Sequence, residues 1–137
     1  MILVDAGPLV ALFDPRDRLH VRCSGTLKGI RELLWTTVPA LTEAFHILEP
    51  QSNGSDRLRE FVARGGLSVW FFDREALTRA FELMETYADH PMDLADASLV
   101  VAAESLGTRR VFTVDGNDFQ TYRVRRGHRY YSFEIVS

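Results

Sequence analysis

The chain has 137 residues, 46% hydrophobic and 26% charged, and its 16 basic and 19 acidic side chains leave a formal net charge of −3. That length suits one domain spanning 1–137, able to bury a core without disulfide or metal staples and too short for a second catalytic domain. The charge excludes a surface basic throughout, so any nucleic-acid contact must be local; Cys23 is alone, His20, His46, His90 and His128 are too scattered for zinc spacing, and no apolar run is long enough to cross a bilayer.

Ile2 to Val4 reads as a first strand, and the absence of a basic n-region and long h-region around it points to a soluble cytoplasmic protein with no membrane association. Leu34 to Thr37 is the second strand, followed by a helix over Thr37 to Leu48 with Ala40, Ala44, Ile47 and Leu48 as its apolar stripe. A helix over Ser55 to Arg64, a strand over Leu67 to Phe72 and a helix over Arg74 to Tyr87 come next. Leu94 to Leu106 is a further helix, stopped by Gly107, before strands at Val111 to Val114 and Tyr130 to Val136. The aromatics Trp35, Trp70, Phe71 and Phe72 lie in or beside strands and read as core. Strands alternating with helices give an α/β fold, a mainly parallel central sheet of about five strands with helices on both faces. In such sheets ligands bind beyond the carboxyl ends of the strands.

The candidate chemistry lies in acids placed at those ends. Asp5 follows the first strand and Asp115 the strand Val111 to Val114, although a cap or turn before Gly7-Pro8 and an Asp-Gly turn account for each on its own. Glu43 falls between the polar face of its helix (Thr42, His46, Glu49) and the apolar stripe, where a functional carboxylate and an ordinary boundary glutamate look alike. Asp93 and Asp96 open the helix from Leu94; Asp93 also reads as a simple cap, while Asp96 shares its face with Leu99, Val100 and Ala103. Carboxylates converging on one cleft repel each other, and a divalent cation relieves that conflict. An all-oxygen donor set without thiolates or a histidine cluster selects Mg²⁺ or Mn²⁺, whose retained waters can attack a phosphodiester.

Ile2-Leu3-Val4-Asp5, Thr42-Glu43-Ala44, Met92-Asp93-Leu94-Ala95-Asp96-Ala97 and Thr113-Val114-Asp115-Gly116-Asn117-Asp118-Phe119, taken in order over nearly the whole chain, resemble the PIN-domain family and in particular its VapC-like toxins. The resemblance implies a single PIN-like domain and a metal-dependent endoribonuclease, with Asp5, Glu43, Asp96 and Asp115 as catalytic and metal-binding acids and Asp93, Asp118 and Thr113 as auxiliary residues. It also implies an RNA substrate, inhibition by a cognate antitoxin protein and a homodimer. One position departs from the pattern: Ala6 follows Asp5 where many relatives carry a supporting hydroxyl.

For RNA contact the candidate is the run from Arg123 to Tyr131, in which Arg123, Arg125, Arg126 and Arg129 precede aromatics able to stack on unpaired bases; a solvated loop entering an edge strand is the plainer reading. No Gly-x-Ser-x-Gly elbow, phosphate-binding loop or dinucleotide fingerprint occurs. The alternatives are a catalytically silent module whose acidic pocket holds a metal or a protein segment, and a phosphatase acting on small phosphoesters.

Overall fold

The computed structural model describes residues 1–137. Its elements in chain order are β1 (Ile2–Val4), α1 (Ala6–Phe13), α2 (His20–Gly29), β2 (Leu34–Thr37), α3 (Val38–Leu48), α4 (Asn53–Ala63), β3 (Ser68–Trp70) and α5 (Arg74–Thr86). Then follow α6 (Leu94–Leu106), β4 (Arg110–Phe112), α7 (Gly116–Thr121), β5 (Arg123–Arg126), β6 (Arg129–Ser132) and β7 (Glu134–Val136). β3, β2, β1, β4 and β7 lie side by side in that order, every neighbouring pair parallel, while β5 and β6 form a separate antiparallel hairpin.

β1 is central because both of its faces are covered. Ile2 and Val4 enter a core with α1, α3 and α4, whereas Leu3 enters the opposite core with α5 and α6. Alternate side chains therefore meet protein on both sides, and the strand is uniformly apolar rather than alternating. α6 is buried around most of its circumference, and its small residues Ala97, Ser98, Ala102 and Ala103 let it sit close against the sheet. Asp93 starts this helix and Gly107, with φ of 71°, ends it in the left-handed conformation that a Cβ disfavours.

Several sequence expectations are corrected. The short helices α1, α2 and α7 were not expected: α1 is apolar almost throughout and α2 buries only Cys23, so neither shows helical periodicity. Tyr130 to Val136 is two strands, broken at the buried Phe133, where the chain leaves the hairpin and enters the sheet beside β4. The strand expected to reach Val114 ends at Phe112, because the Asp115 N–H turns back onto the Thr113 hydroxyl at 3.0 Å. Leu67 to Phe72 shortens to Ser68–Trp70; Phe71 is 69% exposed rather than core, and Ile47 is 53% exposed outside the stripe of Ala40, Ala44 and Leu48. Trp35, Trp70 and Phe72 do pack, partly buried, against the α6 core.

Gly7, in the first turn of α1, lies against the segment that follows β4. A Cβ built there meets the Val114 Cγ2 at 2.5 Å, closer than carbon atoms tolerate. Gly7→Ala is expected to destabilise the protein by about 1–3 kcal/mol in urea unfolding, and adding Val114→Ala to recover part of that loss. An unchanged midpoint in Gly7→Ala contradicts the packing argument.

Candidate active site

Asp5 leaves β1 and caps α1. Its backbone N–H donates to the Phe112 carbonyl at 3.0 Å, carrying the β1–β4 pairing up to the acid itself. One carboxylate oxygen accepts the Ala6 N–H at 2.8 Å and the other the Thr113 hydroxyl at 2.9 Å, with Thr113 fully buried. A hydroxyl, which position 6 lacks, thus arrives from the residue just past β4. Asp93 caps α6 by accepting the Asp96 N–H at 2.8 Å, and Asp96, in the first turn, accepts the Tyr122 hydroxyl at 2.9 Å. Glu43 lies exposed on α3, which is tied to α6 through the Thr37 and Ser98 hydroxyls 2.6 Å apart.

These acids act on one another. Burial lifts Asp5 to about 6, with Glu43 and Asp93 pushing the same way against the Ala6 and Thr113 bonds. Burial and then Asp93 lift Asp96 to about 7; the Tyr122 bond opposes this, and Asp5 and Asp118 add to it. Burial, then Asp93, raises Glu43. Asp5, Glu43, Asp93 and Asp96 therefore share one field, and none of the four takes part in an ion pair. Between α3 and the start of α6, an open groove of about 510 Å³ lined by Val38, Pro39, Leu94 and Ala95 borders Glu43 and Asp93.

Asp115 stands in a second group. It is exposed, and its carboxyl is raised chiefly by a hydrogen bond with Asp118. Asp118 in turn meets the His90 ring at 2.6 Å and adds to the field on Asp96. Asp118 is thus the link between Asp115 and the first group. No three His, Cys, Asp or Glu side chains form a ready-made metal cage.

Tyr122 and His90 were missed in the sequence. Tyr122 stands three residues after Phe119, and that spacing signals an apolar face without revealing where a hydroxyl points. His90 precedes Pro91 in a segment with no periodicity.

The basic run is not gathered at the acids. One guanidinium nitrogen of Arg123 faces the carbonyls of Gln120, Thr121 and Tyr122, and Arg126 donates to the Gly107 carbonyl. Gly107 caps the end of α6 opposite Asp96, about 16 Å away along the helix axis. Arg125 and Arg129 are exposed on the same hairpin, Arg125 paired across it with Tyr130. All four arginines are exposed, and Arg123 and Arg126 also hold backbone carbonyls of their own fold.

Comparison with known proteins places this geometry. The family model for the PIN domain matches residues 2–124. No curated protein matches the chain in sequence. Among solved structures, the chain is similar to Mycobacterium tuberculosis VapC20, described as a sarcin-ricin loop cleaving toxin, at 15% identity and a TM-score of 0.78 over 85% of this chain and 92% of that one. It is also similar to a chain of a toxin-antitoxin complex from Klebsiella pneumoniae, at 17% identity and a TM-score of 0.67 over 88% and 92% of the two chains. At these identities the likeness is one of fold.

Without metal, folding holds Asp5 and Asp96 in surroundings that favour their protonated forms. Their contribution to stability is full below about pH 4 and is lost as pH rises through about 6 and about 7. In chelator, the unfolding midpoint is expected to fall between pH 5 and pH 8. Asp96→Asn, neutral throughout, should flatten that fall and be the more stable protein at pH 8 by about 1–2 kcal/mol, a figure discounted for partial exposure. A metal-free wild type that gains stability across this window contradicts the assignment.

Proposed function

The chain belongs to the PIN-domain family, and we propose that it is a metal-dependent endoribonuclease, the toxin of a toxin–antitoxin pair. The observation that carries this reading is the group Asp5, Glu43, Asp93 and Asp96: Asp5, Glu43 and Asp96 are raised by burial and by the neighbouring acids, Asp93 among them, and no cationic side chain pairs any of the four. Such a group fits a cation. Its donors are all oxygens, which suit Mg²⁺ or Mn²⁺, and these ions need only one or two carboxylates with water and phosphate completing the shell, so a ready-made cage of three residues is not required.

Asp5 and Asp96 are the ligands in this reading, Asp5 with one hydrogen bond on each carboxylate oxygen and Asp96 with one on Oδ2 alone. When bound, the metal supplies an acidified water and stabilises charge on the phosphoryl oxygens. Glu43, raised and at the solvent edge, is placed to accept a proton from the attacking water. Asp93 holds the start of α6, and Asp118, hydrogen-bonded with Asp115, adds to the acidic field on Asp96. The groove beside Glu43 can receive an unpaired base, and Arg125 and Arg129 serve RNA running beyond the cleft. The fold shared with VapC20 supports RNA as the substrate, and that shared with the Klebsiella chain supports an antitoxin protein as the inhibitor. No helix is long and apolar enough to cross a membrane; a cytoplasmic location and a homodimer rest on the family resemblance alone.

The test is cleavage of a mixed cellular RNA pool by purified protein in Mg²⁺, in Mn²⁺ and in chelator. Wild type is expected to cut only with metal, and Asp5→Asn and Asp96→Asn, checked for folding, to lose about 100-fold or more. Arg126→Ala, at the far end of α6, should keep wild-type activity. A wild type inert in every metal removes the nuclease reading and leaves the silent binding module.

A further inference from the structure

Tyr122 is completely buried, yet it carries a hydroxyl into a wall of rings. Tyr87, His90 and Phe119 meet its ring edge-on, at centroid distances of 5.2, 5.8 and 5.3 Å. Its backbone is held as firmly: the N–H donates to the Asp118 carbonyl at 3.2 Å, and the Arg123 guanidinium holds its carbonyl at 3.0 Å. Ring packing alone is served equally by phenylalanine, and a phenol buried among rings is costly unless its hydroxyl is bonded. The partner is the Asp96 Oδ2, at 2.9 Å.

We propose that Tyr122 is the positioning residue of the acidic site, its immobilised hydroxyl fixing the Asp96 carboxylate so that Oδ1 is left to bind a divalent cation. The bond reaches across 26 residues, from the end of α7 to the first turn of α6. A carboxylate on a helix start otherwise turns among its rotamers, and a ligand held by an outer partner loses less freedom on binding. Tyr122 is thus to Asp96 what Thr113 is to Asp5: each carboxylate has one oxygen fixed by a hydroxyl from a distant part of the chain. The inference rests on the reading that this site holds a divalent ion.

Mn²⁺ binding followed by electron paramagnetic resonance tests it, on wild type, Tyr122→Phe, Asp96→Asn, the double variant and Tyr87→Phe. Tyr122→Phe keeps the ring and is expected to bind Mn²⁺ about 10- to 100-fold more weakly. The metal concentration for half-maximal RNA cleavage should rise by the same factor, with the rate at saturating metal largely kept. In the Asp96→Asn background the same change should have no further effect, because the hydroxyl acts only through that carboxylate. Tyr87→Phe alters the same ring cluster without touching Asp96 and should leave Mn²⁺ affinity unchanged. Equal affinity in wild type and Tyr122→Phe, or equal losses in Tyr122→Phe and Tyr87→Phe, overturns the inference alone. Wild type that takes up no Mn²⁺ overturns the metal reading, and this inference with it.

Discussion

Asp5 stands where the central strand of a sheet covered on both faces gives way to a helix, and the residue is only 9% exposed. Burying an anion there is unfavourable, and much of the surrounding structure answers that demand. The Ala6 N–H and the Thr113 hydroxyl each occupy one of its oxygens, which is why β4 must stop at Phe112 and present Thr113 across the pair. Gly7 leaves room for Val114 beside it, so the turn after β4 can come this close. The bonds lower the cost without removing it, and the Asp5 carboxyl stays raised to about 6.

The elements with strong periodicity or uniform apolarity were legible in the sequence: β1, β2, α3 and α6 fall within a residue or two of expectation. α1 escaped because a short helix buried on nearly every side has no amphipathic signal, and α2 because one buried residue, Cys23, makes no stripe. The acids stand in ordered short motifs, and Asp93 caps α6, one of the two readings that the sequence leaves open for it. Their hydrogen-bond partners were not. Thr113 and Tyr122 reach their carboxylates across 108 and 26 residues, and no local pattern encodes contacts of that range.

The arginine run also serves the fold itself. Basic residues next to aromatics suggested a surface for RNA, but the hairpin register sends Val124 into the core and leads the strand along α6 away from Asp96. Arg123 and Arg126 fasten backbone carbonyls, and Arg109 lies over the Tyr131 ring at 5.3 Å while pairing with Glu134. Arg123 and Arg126 within the hairpin, and the Arg109–Glu134 pair outside it, tie the last strands to the rest of the fold.

The pairing of β1 with β4 joins residues about as far apart as the chain allows, Thr113 bonding to Asp5 across 108 positions. Contacts so distant in sequence form late, since the whole intervening loop must be closed before they contribute. On a ribosome, the Asp5 carboxylate can therefore have no hydroxyl partner until residue 113 has emerged, long after α1 and α3 are available to fold. A nascent chain carries the acids but not their arrangement. Whatever chemistry the cleft performs is withheld during synthesis and begins only when the ends of the domain meet.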